Sequence, residues 1–476
     1  MFQSDNISLE FFGAAGTVTG SRHLLRLGNH TILIDCGLFQ GVNEKQLNAL
    51  PLPVAAKDVD CILLTHAHLD HTGNLPFMVK QGFKGKIYGT SPTLQIAEII
   101  LSDSAKIQEE EYRQAKERTH NRKHNHKKHD HSQEEPISLP DYIMDDVLDT
   151  VKQFVPVTSE EWFPLFDDVT IRFRYNGHII GASFIEIKYN SKQIVFSGDI
   201  GRENDILLFH PNKPEHADIL VIESTYGNRL HPDNTQQQLA DCINETTVNQ
   251  GTIIIPSFAV ERTQMLMYML WKMKQDELIP DLPVYMDSPM GKDVLEIFHH
   301  NKGWHKLPPD ECTLMCKSIH RIQSIKETFE VIDDKQSKIV IAGSGMVTGG
   351  RVLTYLQYYI ENPSTTILLA GFQAKGTNGR LLQDGVEEIM LRGRMYKVKA
   401  SIKTIHGLSG HADQKELLNW MSALQNKPEK IFIVHGEPEA AETLKNKIKE
   451  LYDMEAEVAV MSKLGLAANI IFKEQV

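Results

Sequence analysis

The sequence predicts an α/β protein of two or three domains. The chain has 476 residues, and a globular domain takes roughly 100–200 residues. Short strands with few helices dominate up to residue 205, whereas apolar strands and helices alternate over residues 206–390. This alternation indicates a parallel sheet covered by helices. Short strands return in residues 391–476, so we expect the middle region to be a separate domain.

The first region is predicted to contain mainly short strands that bury one or both faces. Runs typical of strands cover Ser8–Phe12, His23–Leu27, Thr31–Asp35, Asp60–Thr65, Val169–Tyr175, Ser183–Tyr189 and Gln193–Ser197. Helical periodicity occurs at Leu94–Leu101 and Asp145–Phe154.

Residues 106–135 interrupt this pattern with a histidine-rich insert. The stretch His120–His131 alternates histidines with basic residues and has no apolar face. A solvated loop or a frayed helix end is the simplest interpretation. A tract that contacts nucleic acid or binds metal is the alternative.

The middle region repeats one sequence pattern. Apolar runs ending near Gly, Ser or Pro recur as ILVIESTYG, GTIIIPSFA, PVYMDSPMG, KIVIAGSGM and TTILLAGFQ. Helical patterns such as Gln264–Lys274 and Gly350–Ile360 separate them. The last region is predicted to form helices at Gln414–Leu424 and Glu437–Leu451 around the strand Lys430–Val434.

Composition favours a reducing compartment and argues against a membrane protein. The five cysteines are few and odd in number, which suits reduced thiols. No apolar run approaches the roughly 18–20 residues of a membrane span, and the N-terminus lacks the features of a secretory signal. We therefore expect a cytoplasmic location. The net charge of −12 argues against a general nucleic-acid coat protein, but not against an enzyme with a local basic groove.

The motif His66-Ala67-His68-Leu69-Asp70-His71 follows directly after a predicted strand. On extended backbone His66 and His68 point the same way, while Asp70 and His71 follow in a turn. Imidazole and carboxylate groups at this spacing suit Zn²⁺. Four ligands in one loop indicate two adjacent metal ions.

Further candidate ligands lie near the ends of other predicted strands. These are Asp35, His178, Asp199 and His435. Each of them alone is equally consistent with an ordinary turn residue. A carboxylate such as Asp199 has two oxygens and can bridge two ions, whereas Asp35 is either a ligand or an acceptor that orients an imidazole.

The successive motifs resemble those of the metallo-β-lactamase superfamily. DCGLFQG around Asp35, HAHLDH, GHIIGA around His178 and SGD ending at Asp199 occur in the superfamily's order. Three later motifs, IESTYG with Glu223, SGHAD with His411 and VHGE with His435, resemble motifs A, B and C of its β-CASP branch. That branch comprises nucleic-acid nucleases, and the resemblance covers nearly the whole chain.

The resemblance implies a four-layer αββα sandwich into which an α/β β-CASP cap domain is inserted. The first part of the sandwich is then residues 1–205, the β-CASP domain 206–390, and the completing part 391–476. The chain begins its sandwich near residue 6 and ends soon after the final strands. We therefore expect neither an N-terminal RNA-binding module nor a further C-terminal domain.

The resemblance also implies two zinc ions and assigns a set of ligand residues to each ion. His66, His68 and His178 would hold one ion, and Asp70, His71 and His435 the other. Asp199 would bridge them, and Asp35 would support a ligand from behind. The residues expected to be needed for catalysis are Asp70, Glu223 and His411, with His411 as a general acid oriented by Glu223.

The implied substrate is RNA. In the family, histidine at motif C accompanies RNA substrates, and DNA-directed relatives tend to carry valine there, so His435 favours RNA. We expect a zinc-dependent ribonuclease that cuts single-stranded RNA internally, with 5′-to-3′ exonuclease action as an added mode. Residues expected to hold RNA are Ser257, Arg262, Ser344, Arg351, Gly376 and Arg380, which lie in glycine-rich or strand-to-helix loops. Each of these loops is equally consistent with an ordinary turn of an α/β fold.

Three other functions stay open at this point. A small-molecule zinc hydrolase, such as a thioesterase or lactonase, shares the first motifs but not motifs A to C. A DNA nuclease is disfavoured by His435, and a non-catalytic RNA-binding subunit by the complete ligand set. No membrane partner is expected, and a homodimer is one option for assembly.

Overall fold

A computed structural model describes residues 2–4, 6–41, 43–125 and 139–462, and it contains two seven-stranded sheets packed face to face. In spatial order the first sheet contains β1 (Phe2–Ser4), β2 (Ile7–Phe11), β3 (His23–Leu27), β4 (His30–Ile34), β5 (Cys61–Leu63), β6 (Lys86–Thr90) and β7 (Phe154–Val157). Its first four strands are antiparallel, and the pairs from β4 to β7 are parallel.

The second sheet begins with a run of antiparallel strands. It contains β8 (Phe163–Phe166), β9 (Val169–Tyr175), β10 (Ser183–Tyr189), β11 (Lys192–Phe196) and β12 (Ile219–Glu223). The register of β9 and β10 pairs Tyr175 with Ser183, and β12 joins β11 in parallel.

A third, six-stranded parallel sheet follows in the chain. Its strands are β13 (Thr252–Pro256), β14 (Val284–Asp287), β15 (His320–Arg321), β16 (Lys338–Ala342), β17 (Thr366–Leu369) and, after the hairpin β18 (Glu388–Leu391) and β19 (Arg394–Lys397), β20 (Ser401–Thr404). The spatial order is β15-β14-β16-β13-β17-β20.

The chain then returns to the second sheet. Strand β21 (Lys430–Val434) pairs in parallel with β12, and β22 (Glu457–Val458) lies beyond it at the edge. The third sheet is therefore inserted in sequence between two neighbouring strands of the second. This confirms the predicted sandwich with an inserted α/β domain.

Helices cover the outer faces of all three sheets. They are α1 (Glu44–Asn48), α2 (Leu69–Thr72), α3 (Leu75–Lys80), α4 (Ser91–Asn125), α5 (Met144–Val151), α6 (Thr235–Val248), α7 (Arg262–Gln275), α8 (Gly291–His300), α9 (Pro309–Lys317), α10 (Ile325–Asp333), α11 (Gly350–Tyr359), α12 (Asn378–Gln383), α13 (Gln414–Met421) and α14 (Pro438–Tyr452). Among these described helices, none combines the length and apolar character that a membrane crossing needs.

The main core of the sandwich lies between its two sheets. Alternate residues of each strand face inward, so Leu25 and Ile32 of the first sheet belong to the same buried cluster as Phe173 and Ile185 of the second. The opposite faces pack on helices: Leu24 of β3, for example, belongs to one cluster with Met78 of α3. Four layers result.

Two features differ from the sequence interpretation. The helix α4 continues to Asn125, through part of the predicted histidine-rich insert, and residues 126–135 of that insert lie outside the described residues. Strand β12 was grouped with the middle region but belongs to the sandwich. A parallel strand with both faces covered is continuously apolar in the sandwich and in the inserted domain alike. The composition of β12 therefore does not show to which of the two it belongs.

We expect Phe173→Ala to lower the free energy of unfolding by about 3–5 kcal/mol, because the ring is fully buried between the sheets. Denaturant unfolding of the two proteins checks this. Phe329→Ala is the matched control, since Phe329 is 40% exposed, and it should change stability by less than about 1 kcal/mol. Equal effects of both substitutions would contradict the assigned core.

Candidate metal centre

The polar residues singled out by sequence converge at one edge of the sandwich. Each follows or ends a strand: Asp35 after β4, His66 after β5, His178 between β9 and β10, Asp199 after β11, Glu223 at the end of β12 and His435 after β21. Because β4 and β5, and likewise β11, β12 and β21, are mutually parallel, their carboxyl ends meet at a common edge.

One group of ligand atoms consists of His66, His68, His178 and Asp199. Nδ1 of His68 lies 3.1 Å from Nε2 of His66 and 3.2 Å from Nε2 of His178. Oδ2 of Asp199 lies 3.4 Å and 3.7 Å from the same two Nε2 atoms. Three imidazole nitrogens and one carboxylate oxygen thus face a common point.

A second group contains Asp70, His71 and His435. The Nε2 atoms of His71 and His435 are 3.2 Å apart, and Oδ2 of Asp70 lies 3.4 Å from Nε2 of His435. The other oxygen of Asp199, Oδ1, is 3.4 Å from Nε2 of His71. Asp199 therefore faces both groups, one with each oxygen.

The donor set fits bound metal ions. Imidazole nitrogens about 2.0 Å from a tetrahedral zinc ion are about 3.3 Å from one another, close to the spacings of 3.1 and 3.2 Å around His68. In addition, Oδ1 of Asp199 is buried and has no hydrogen-bond partner among the described residues. A buried carboxylate oxygen normally has a partner, and a cation between the two groups would supply one.

Burial keeps most of these imidazoles neutral. It lowers the pKa of His68 to about 4, and it holds the pKa of His66 and of His178 well below the ordinary value, helped by other histidines nearby. Neutral imidazoles offer the lone pairs that metals need. Burial also lowers the pKa of His71, but Asp199 and Asp35 outweigh it and hold that pKa well above the ordinary value.

A buried hydrogen-bond network fixes the orientation of His66 and His71. Nδ1 of His71 donates to Oδ2 of Asp35 at 2.7 Å. The hydroxyl of Thr65 donates to the same oxygen at 2.8 Å and lies 3.1 Å from Nδ1 of His66. Both rings therefore carry their proton on Nδ1 and turn Nε2 toward the ligand groups.

His435 is held in a similar way by the chain on either side. The hydroxyl of Thr225 lies 3.0 Å from Nδ1 of His435 and donates to the carbonyl of the same residue. The backbone N–H of His435 donates to the carbonyl of Ala14 at 2.6 Å. The loop that joins β2 and β3 thus supports the metal centre.

The loop of Asp70 and His71 also depends on close backbone contacts. The N–H of Ser21 donates to the carbonyl of Asp70, and that of Cys36 to the carbonyl of His71. A Cβ atom on Gly37 would lie 1.6 Å from the Asp70 carbonyl oxygen. Only glycine fits there, which explains the glycine after Asp35-Cys36.

The structure brings Glu223 and His411 together beside the ligand groups. Glu223 is fully buried, and its oxygens accept hydrogen bonds from the N–H groups of Ile200 and Thr225. Nδ1 of His411 lies 3.2 Å from Oε1 of Glu223, so its Nε2 faces Oδ2 of Asp199 at 3.9 Å. Burial lowers the pKa of His411, but Glu223 and Asp199 outweigh it and raise that pKa.

The loop that carries His411 is tied to the sandwich by its backbone. Ala412 donates its N–H to the carbonyl of Ile200, and Nε2 of His231 lies 2.9 Å from the carbonyl of His411. Asp413 accepts a hydrogen bond from the N–H of His231. These contacts hold the imidazole at its place beside Asp199.

The side chains predicted to hold RNA bond mainly within their own loops and helices. Ser257 and Arg262 are buried, with Arg262 beside Glu261. The hydroxyl of Ser344 accepts hydrogen bonds from the N–H groups of Thr348 and Gly349.

The other three lie at separate places in the inserted domain. Arg351 donates to Thr328 at 2.9 Å, and Arg380 pairs with Asp384 on its own helix. Gly376 has a φ of +84° in the exposed turn before α12. In the part of the chain that the structure describes, no hydrogen bond or ion pair links these six to the metal-centre ligands.

The sequence analysis did not identify three residues that orient histidines of the site. They are Thr65, Thr225 and His231. Thr65 directly precedes His66, and Thr225 lies two residues after Glu223 at the end of β12, so their positions are a usable signal. Their hydroxyls carry no motif of their own, and His231 lies in a loop with no periodicity.

Comparison with known proteins now identifies the family. Family models match the chain in three segments: a metallo-beta-lactamase superfamily domain at residues 24–212, a Beta-Casp domain at 263–382 and a Zn-dependent metallo-hydrolase RNA specificity domain at 395–460.

Two curated relatives match most of the chain. A ribonuclease of Thermus thermophilus is 32% identical over 440 residues, which cover 90% of this chain and 93% of that protein. The transcription termination factor FttA of Methanosarcina mazei is 29% identical, covering 92% of this chain and 68% of its own length.

A solved structure of a protein of unknown function from Enterococcus faecalis V583 shares the fold. It matches with a TM-score of 0.51 at 13% identity, over 96% of this chain and 99% of that one. The three family models and the Thermus thermophilus relative show that the chain belongs to the β-CASP branch of the metallo-β-lactamase superfamily, as the motifs predicted. It is a metal-dependent hydrolase of a zinc-dependent family, with a histidine and aspartate cluster suited to metal.

We expect Thr65→Val to weaken zinc binding by about 10–100-fold, because the substitution removes the hydroxyl that orients His66. Competition with a zinc chelator measures this affinity. Thr354→Val is the matched control, since the Thr354 hydroxyl is buried without a hydrogen-bond partner in the described structure. If both variants bound zinc as tightly as the wild type, the orienting role of Thr65 would be wrong.

Proposed function

We propose that this protein is a two-zinc ribonuclease that hydrolyses phosphodiester bonds of single-stranded RNA. The observation that carries the proposal is the position of Asp199, which faces two ligand groups with its two oxygens and lies beside the Glu223–His411 pair. Two metal positions a short distance apart, with an acid alongside, suit the displacement of an oxygen at phosphorus.

Each ion would have its own residues. His66, His68 and His178 would hold one, and Asp70, His71 and His435 the other, with Asp199 shared. Bound there, the ions would lower the pKa of a water molecule and offset the charge of the phosphate. Protonation of the leaving oxygen would require a side chain of the protein.

His411 would supply the proton that the leaving oxygen needs. Glu223 accepts the Nδ1 proton, so Nε2 is the atom that faces the reaction site. The raised pKa of His411 keeps its ring protonated over more of the neutral range. Backbone N–H groups hold the oxygens of Glu223 in place. The Glu223 carboxylate would act through His411, whose protonated ring it stabilises.

RNA is the favoured substrate because of the relatives and the family models. One relative is named a ribonuclease and another a transcription termination factor, and the model over residues 395–460 is described as an RNA specificity domain. An internal cut with additional 5′-to-3′ exonuclease action is the proposed mode.

We also propose revised domain limits and a cytoplasmic location. Strand β12 pairs within the sandwich and β20 within the third sheet, so the inserted domain would run from about residue 224 to 405 rather than from 206 to 390. All five cysteines are free thiols, four of them buried, which suits a reducing compartment.

The deciding experiment compares end-labelled single-stranded RNA with DNA of the same sequence, with Zn²⁺ or Mn²⁺ added. We expect cleavage of the RNA, little cleavage of the DNA, and loss of activity in the Asp70→Ala/His71→Ala variant because one metal position loses two ligands. The product ladder distinguishes internal from terminal cuts. Equal cleavage of both strands would indicate a general nuclease, and cleavage of neither would refute the proposal.

A second experiment tests the general acid. We expect His411→Ala to lower kcat on RNA by about 10²–10⁴-fold, the usual contribution of a positioned acid. A substrate in which sulfur replaces the leaving oxygen should be cut by the variant nearly as fast as by the wild type, because a thiolate leaves without protonation. If the sulfur substrate were slowed as much as ordinary RNA, His411 would act by another route.

A further inference from the structure

The loop between β13 and α7 exposes an aromatic ring beside the metal centre. Phe258 is 36% exposed, whereas the neighbouring Ser257 and Ala259 are buried. The Phe258 ring centroid lies 6.3 Å from that of His68, with the two planes tilted by 47°. An apolar ring this close to metal ligands has a solvent-facing surface that the sandwich core does not use.

The backbone of this loop is rigidly held. The hydroxyl of Thr263 donates to the carbonyl of Phe258 at 2.6 Å, and that of Ser257 donates to the same carbonyl at 3.1 Å. The side-chain amide of Gln264 donates to the carbonyl of Ala259 at 3.0 Å. The polar side chains of the loop are thus used to fix its backbone, and the group left facing outward is the phenyl ring.

The glycine-rich loop after β16 determines where the ring can lie. A Cβ atom on Gly345 would lie 2.6 Å from Cδ2 of Phe258, which is too close for any side chain. One edge of the ring therefore packs on bare backbone of the inserted domain, and another part approaches His68 of the sandwich. The ring is held at the junction of these two parts with little room to turn.

We propose that Phe258 is a stacking platform for the base of a nucleotide next to the scissile phosphate. This inference rests on the proposed function, because it places the phosphate at the metal centre. Bases of single-stranded RNA are unpaired and stack on aromatic rings, and such contacts tolerate any sequence. Stacking on the ring would bind the nucleotide without hydrogen bonds to a particular base.

Phe258 combines exposure with a position beside the candidate ligand His68, whereas Phe329 is 40% exposed and packs on Tyr358. Phenylalanines that serve the core of the protein, such as Phe173 and Phe298, are at most 2% exposed. Ring exposure beside a polar cluster costs free energy unless another group covers it. A nucleobase would cover it during binding.

The test combines variants of Phe258 with an abasic substrate. A short single-stranded RNA with one cleavage site is compared with RNAs that lack the base on one or the other side of that site. Phe258→Ala should lower kcat/KM on the intact RNA by about tenfold, within the range of base stacking on an aromatic ring. On the abasic RNA that lacks the stacked base, wild type and variant should cut at the same rate.

Further variants separate stacking from packing. Phe258→Leu keeps an apolar side chain without a flat π-face, so stacking predicts a loss near that of alanine. Phe258→Tyr keeps the flat six-membered ring and should retain most of the wild-type kcat/KM. Phe329→Ala is the matched control, an exposed phenylalanine on α10 that packs on Tyr358 and should leave kcat/KM unchanged.

Two results would overturn the inference. One is a loss in Phe258→Ala that is equal on intact and abasic RNAs, and the other is full activity of Phe258→Leu. Either leaves the ribonuclease proposal standing as long as wild-type protein cuts RNA and the Asp70→Ala/His71→Ala variant does not. Absence of RNA cleavage by the wild type refutes the ribonuclease itself.

Discussion

The buried carboxylate of Asp199 is the group on which the rest of the site depends. It is 2% exposed, and imidazole nitrogens of five histidines lie between 3.4 and 3.9 Å from its oxygens. A buried ionised carboxylate is costly unless cations or hydrogen bonds offset its charge. Burial keeps His66, His68 and His178 neutral, so these rings supply lone pairs rather than positive charge. Metal bound between the two groups would offset the rest of the negative charge that His71 partly neutralises.

The topology makes this centre a property of the whole sandwich. His71 and His435 face each other although 364 positions separate them, because β21 returns to pair with β12 after the third sheet is complete. The second sheet therefore gains its last strands, and the centre its last ligand, only when residues on both sides of the inserted domain have met. Metal binding and closure of the sandwich are coupled for that reason.

Local spacing and distant pairing differ in how far sequence predicts them. The candidate ligands of HAHLDH lie within six residues, so strand periodicity and ligand chemistry are enough to single them out. The pairing of Glu223 with His411 spans 188 positions, and no spacing rule connects them; family resemblance alone predicted it. The polar side chain of Ser257 was chosen from its loop, but the fold turns that hydroxyl inward and Phe258 outward. Side-chain direction in a loop follows from tertiary packing, which composition does not encode.

Chemistry and substrate contact arise from different parts of the fold. Two residues that orient the candidate ligands, Asp35 and Thr65, are buried in the sandwich, whereas Phe258 and Gly345 belong to the inserted domain. The two parts nevertheless share a buried apolar cluster, in which Ile179 and Leu207 of the sandwich lie with Leu239 and Leu295 of the inserted domain. In the described structure the polar side chains of the Phe258 loop bond within that loop, and Asp35 and Thr65 bond within the sandwich. A substitution in the Phe258 loop would therefore change the surface beside His68 without removing the hydrogen bonds of Asp35 and Thr65, which is one way in which a single fold can serve different substrates.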